Sequence, residues 1–158
     1  MNNSIDIVGI KLFKERTLLS KKNITSSLDA VEVIANELID LDREIAMCLN
    51  LNNKNQVINA HTIAVGGMES TNIDVRSIYK SALLSNSSRL LIFHNHLNTC
   101  EPSHEDIELT DIIKEGAALL GLELLDHIII SPNGFYSIKN NEKFQPEIDD
   151  NLENDLTF

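Results

Sequence analysis

Leu90-Leu91-Ile92-Phe93-His94-Asn95-His96, followed by a short loop and then Ser103-His104-Glu105-Asp106, is the stretch on which the reading of the chain turns. Four consecutive apolar residues without polar alternation read as a short strand covered on both faces, as in the middle of a layered α/β domain. The end of that strand carries histidines at i and i+2. Alternate strand residues project from one face, so both imidazoles can reach one ion. Ser103 is a candidate N-cap, and behind it Leu109, Ile112, Ile113, Gly116, Ala117 and Leu120 recur at helical spacing until Gly121 closes the helix. Asp106 heads the stripe Asp106, Leu109, Ile113, Ala117, so a helix lying on the sheet points this carboxylate back toward the histidines. Ligands of the type His, His and Asp leave the fourth position of a tetrahedral zinc open, the arrangement of a catalytic rather than a structural site.

Upstream, Thr25, Ser26 and Ser27 are N-cap candidates for a helix through Ala30, Val31, Val33, Ile34 and Leu38 that ends near Asp40. Glu44 to Leu51 alternates Ile45, Met47, Leu49 and Leu51 against Glu44, Ala46, Cys48 and Asn50, and Asn52-Asn53-Lys54-Asn55 turns it into a hairpin with Val57 to Val65. Gly66-Gly67 ends that hairpin and lacks the strand-to-helix context of a phosphate loop. Val75 to Leu84 reads as a helix through Ile78, Ala82 and Leu83, stopped by Ser85-Asn86-Ser87-Ser88. Downstream, Leu122 to Ile130 is a second buried strand, Pro132-Asn133-Gly134 a turn, and Phe135 to Ile138 a last short strand. Ile5 to Phe13 has strand character. Hairpin and crossover connections together predict an α/β fold with a mixed β-sheet flanked by helices, in one domain over residues 1–140, with an acidic, disordered tail over 141–158.

The 158 residues, 42% of them hydrophobic, suffice for one core without disulfides. Two cysteines, Cys48 and Cys100, and no signal-like N-terminus point to a reducing cytoplasm. No apolar run is long enough for a membrane helix. The net charge of -11 argues against a sequence-independent grip on nucleic acid, which needs clustered Lys and Arg. Six acids against Lys143 in residues 142–158 account for -5 of it, so the body keeps about -6.

Each site residue also has a structural reading. Histidines at strand ends often only hydrogen-bond locally, and Asp106, three residues after Ser103, fits a capping box. Cys100 reads better as a loop residue than as a fourth ligand, and Asp126 and His127 as packing or supporting groups beside the site. His61 and His104 read as surface residues.

His94-Asn95-His96, Glu101-Pro102-Ser103-His104-Glu105-Asp106 and Leu124-Leu125-Asp126-His127-Ile128-Ile129-Ile130 together resemble the JAMM/MPN domain of RadC-like proteins, from about Ile7 to Ile138. The resemblance implies a cytidine-deaminase-like architecture, here without the helix-hairpin-helix domain that often precedes it. It implies one zinc ion held by His94, His96 and Asp106, Glu44 as general base, and Ser103 as a hydrogen-bond donor to the developing oxyanion. The reaction implied is hydrolysis of an amide bond in a protein or peptide, of metallopeptidase or isopeptidase type. The loop departs from the family pattern: Leu97, Asn98 and Thr99 replace the usual Pro-Ser-Gly, and the six residues Leu97 to Pro102 are one fewer than usual. That departure favours a second reading, a catalytically impaired binding module, with the DNA-repair association that the RadC name carries. An HNH nuclease rests only on the letters His94-Asn95-His96 and conflicts with the acidic charge, and a zinc nucleobase deaminase lacks its H-x-E and P-C-x-x-C ligands.

Overall fold

A computed structural model describes residues 8–18, 23–67 and 72–145. Among them, α1 (Ser27–Leu38), β1 (Ile45–Leu51), β2 (Val57–Val65), α2 (Val75–Leu84), β3 (Arg89–Asn95), α3 (His104–Leu119), β4 (Glu123–Ser131), β5 (Gly134–Ser137) and β6 (Glu142–Phe144) follow in chain order. The strands form one mixed sheet in the order β2-β1-β3-β4-β5-β6. Only β3 and β4 run parallel, and α3 makes the crossover between them. No helix among the described residues is long and apolar enough to cross a membrane.

The alternation expected in β1 sorts side chains between two buried faces rather than between core and solvent. Met47, Leu49 and Leu51 join Leu91, Phe93, Ile128, Ile130 and the inner face of α1 in one core. Ala46 and Cys48 join Leu90, Ile92, Ile78 and Ala82 of α2 and Ile113 and Ala117 of α3 in the other. Helices therefore cover both faces, and Leu90 to Phe93 is apolar throughout because neither face meets water. Ser26 caps α1 in a reciprocal box with Asp29, and Gly121, at φ 70°, follows the C-cap of α3 in the left-handed conformation that glycine adopts without strain.

Three expectations are corrected. Val8 to Phe13 form no strand, and Val8, Ile10 and Phe13 are exposed; residues 5–7 lie outside the described part. The stripe of α3 is narrower than its sequence, since Ile112 and Leu120 face solvent while Ile113 and Ala117 are fully buried. Gly116 instead lies beneath Tyr79 of α2, whose hydroxyl donates to the carbonyl of Ile113 at 2.9 Å, and a Cβ at position 116 would collide with that ring. Finally, the sheet runs past the boundary drawn at residue 140: Phe144 pairs with Phe135 and packs on the α1 core, which outweighs the acidic composition around it. The rest of the expected tail, 146–158, lies outside the described residues.

Candidate metal centre

Register brings the site together. In the antiparallel pairing of β1 with β3, Ala46 lies opposite His94, so two residues further out the chain sets Glu44 opposite His96. His94 shares its face with Leu90 and Ile92, the face that α3 covers. The first turn of α3 then presents Asp106. His94 Nε2 lies 2.8 Å from His96 Nε2 and 3.2 Å from Asp106 Oδ1, and His96 Nε2 lies 3.4 Å from Asp106 Oδ2. Among the described residues these three form the group whose ligand atoms converge as a metal site requires. A tetrahedral zinc with ligand atoms at 2.0–2.1 Å separates them by about 3.3 Å, so the observed spacing fits that ion.

The remaining ring nitrogens are occupied elsewhere, as metal-binding imidazoles require. His96 Nδ1 lies 3.2 Å from the Thr99 carbonyl, which accepts from it, and His94 Nδ1 lies 2.8 Å from His127 Nε2. Both Nε2 atoms are thus turned inward. The loop Leu97 to Pro102, although short, still returns Thr99 to His96 and leaves Asp106 within reach.

The capping and the site readings of Asp106 hold together. Its Oδ2 accepts from the backbone N–H of Ser103 at 2.8 Å and from the Ser103 hydroxyl at 2.7 Å, while its own N–H donates back to Ser103 Oγ at 3.1 Å. The box locks the carboxylate so that Oδ1 faces His94. It also commits the hydroxyl proton of Ser103 to Asp106.

Electrostatics follow from this crowding. Burial pushes the Asp106 carboxyl upward, but hydrogen bonds from His94 and His96, the charge on His94 and the Ser103 hydroxyl outweigh it and hold the group far below the usual carboxylate range. Burial lowers His96, yet Asp106, Glu44 and the Thr99 carbonyl together raise it on balance. His127, wholly buried, is held well below its ordinary value by desolvation and then by its neighbour His94, so it stays neutral.

Glu44 lines the same cleft, of about 760 Å³, as His94, His96, Ser103, Asp106 and Leu109. Two backbone bonds with Gly66 and Gly67 continue the hairpin past β1 and hold its position, with Glu44 N–H donating to Gly67 O at 3.0 Å and Gly66 N–H to Glu44 O at 2.8 Å. On the other side, Asn95 grips both flanks of Glu44: its Oδ1 accepts from Ile45 N–H at 2.7 Å and its Nδ2 donates to Arg43 O at 3.0 Å.

The model of the RadC-like JAB domain family matches residues 24–143. The chain belongs to this family. It is 36% identical over 133 residues to a UPF0758 protein of Shouchella clausii, covering 84% of this chain and 57% of that protein. It is 33% identical over 140 residues to one of Pelodictyon phaeoclathratiforme, with 86% and 63% covered. A third, from Bacillus licheniformis, is 39% identical over 112 residues, with 70% and 50% covered. The chain thus spans between half and two thirds of these relatives. The mixed sheet with helices on both faces is the architecture expected of a JAB domain.

Within this RadC-like domain the remaining sequence candidates separate cleanly. Cys100 is buried in the loop and outside the ligand group, and His61 and His104 are exposed, the latter beside Glu108. Asp126 and His127 part company: His127 touches His94, whereas Asp126 points to the opposite face and accepts from Ser27 of α1. Sequence reasoning did not single out Asn95 as a clamp or Thr110, 2.7 Å from His127 Nδ1, as a site group. The spacing of Thr110, one helical turn after Asp106, was the available signal.

Proposed function

We propose that this RadC-like JAB domain is a zinc-dependent hydrolase of amide bonds, of metallopeptidase or isopeptidase type, acting on a protein or peptide. One observation carries the reading: an inward-facing His94, His96 and Asp106 set shares a cleft with Glu44, whose backbone is fixed from both sides. Zinc held by those three residues would supply Lewis acidity, lowering the pKa of a water at its open position to about 7. Glu44, on the cleft wall, would hold a proton as general base and return it to a departing amine, a two-way transfer suited to a carboxylate. Ser103 orients Asp106, and it serves an oxyanion once its hydroxyl turns from Asp106 toward substrate. The acidic charge and the two free, buried cysteines support a protein or peptide partner in a reducing cytoplasm over nucleic acid.

The test is metal content by mass spectrometry on the purified chain and on His94→Ala and Asp106→Ala, followed by peptide and isopeptide cleavage with Glu44→Gln as control. About one zinc per chain, lost in both ligand variants, with cleavage abolished in Glu44→Gln, is the expected result. Zinc without cleavage of any substrate favours the binding module. No zinc uptake overturns the reading.

A further inference from the structure

A chain of hydrogen bonds runs from His94 away from the cleft into α3. His94 Nδ1 lies 2.8 Å from His127 Nε2, His127 Nδ1 lies 2.7 Å from Thr110 Oγ1, and Thr110 Oγ1 lies 2.6 Å from the carbonyl oxygen of Asp106. The last contact decides the rest. A carbonyl only accepts, so the single hydroxyl proton of Thr110 is spent on Asp106 O, and toward His127 the oxygen has only lone pairs to offer. His127 must therefore donate from Nδ1. With its ring proton on Nδ1, His127 presents a bare Nε2 that accepts, which keeps a proton on His94 Nδ1 and makes Nε2 of His94, facing His96 and Asp106, the nitrogen left for metal.

We infer that Thr110 and His127 form a tautomer relay that presets His94 for metal, with both acting as positioning residues. The relay rests on the metal reading proposed above and adds residues that act through His94. It also ties both ends of the ligand set to one device, since the carbonyl that anchors it belongs to the metal-site aspartate. Every buried side-chain nitrogen and oxygen among the described residues has a partner, and reversing the relay would strip the Thr110 hydroxyl from Asp106 O and point a hydrogen from His94 Nε2 into the site.

Thr110→Val keeps the shape of the side chain and removes the acceptor. His127 then favours the Nε2–H tautomer, which drives the His94 proton onto the nitrogen that must bind metal. Zinc affinity, measured by competition with a chromophoric chelator, is expected to fall about 10- to 100-fold, and Thr110→Ser is expected to restore it. Tautomers are read directly from two-bond nitrogen–proton correlations of the imidazoles in metal-free protein: Nδ1–H at His94 and His127 in the wild type and Thr110→Ser, Nε2–H at His127 in Thr110→Val. Unchanged affinity in Thr110→Val, or Nε2–H at His127 in the wild type, overturns the relay. The wild-type spectrum needs neither zinc nor a variant. A wild type that binds no zinc but shows the expected tautomers refutes the metal reading alone.

Discussion

Replacing Asp126 with alanine would strand four donors at once. This carboxylate is 4% exposed. Its Oδ2 accepts from Ser27 Oγ at 2.9 Å and Ser137 Oγ at 2.6 Å, and its Oδ1 from the backbone N–H groups of His127 at 2.8 Å and Lys139 at 3.1 Å. It therefore ties α1, β5 and the turn after β5 to β4. The two hydroxyls can rotate to other acceptors, but the two backbone groups cannot. At about 1–3 kcal/mol for each buried donor left unmade, less the relief from removing a buried carboxylate, the expected loss is about 2–4 kcal/mol. That is a large share of the roughly 5–15 kcal/mol available to a domain of this size. In urea the midpoint should fall by about 1–2 M at unchanged slope. Asp126→Asn is the informative companion. Its Oδ1 keeps both backbone donors while Nδ2 donates to the two serine hydroxyls, so the cost should be about 1 kcal/mol. Zinc uptake by the folded fraction should not change in either variant, because Asp126 faces away from the cleft. A loss below about 1 kcal/mol for alanine, or equal losses for the two variants, would refute the assignment of Asp126 as a structural tie.

Two further outcomes are expected. Asn95→Ala should leave zinc stoichiometry intact but lower kcat more than it raises KM, because Glu44 loses the grip on Arg43 O and Ile45 N–H; equal turnover to wild type would show that Gly66 and Gly67 suffice to hold it. Zinc affinity should fall with acidity through a point above the ordinary histidine value of 6.5, since the raised pKa of His96 lets protons compete with metal up to a higher pH. In metal-free protein the same shift has the opposite face: the stability that His96 draws from Asp106 is full below 6.5 and is lost as pH rises through the raised value. Isothermal titration and thermal melts across about pH 5.5 to 8.5 read both, and a flat affinity profile would contradict the shift.

Much of this was legible because local chemistry and global packing agree. The uninterrupted run Leu90 to Phe93 reads as a strand covered twice, and on a strand histidines at i and i+2 share a face. Ser103 and Asp106 announced a helix start by a reciprocal box that forms whatever lies around it. Composition misled where a few contacts outweighed it. Phe144 sits among acids yet extends the sheet, and Ile112 and Leu120 have apolar side chains but are exposed.

The sequence by itself determined the layered α/β class, the order of the elements and the residue types that meet at the cleft, because hydrophobic period and capping are local and survive in any context. What it could not determine was which faces the side chains of β4 meet. Strict alternation from Leu122 and Leu124, which face α2 and α3, would aim Asp126 at the histidines and His127 away from them. The pairing with β3 slips between Leu90 and Leu91, which face Leu124 and Asp126, so Leu125 is an extra residue in β4 and every later side chain changes faces. His127 thereby reaches His94, and Asp126 reaches α1. A bulge depends on how two distant strands settle against each other, so only the tertiary structure decides which of two adjacent polar residues touches the candidate metal centre and which ties the fold together.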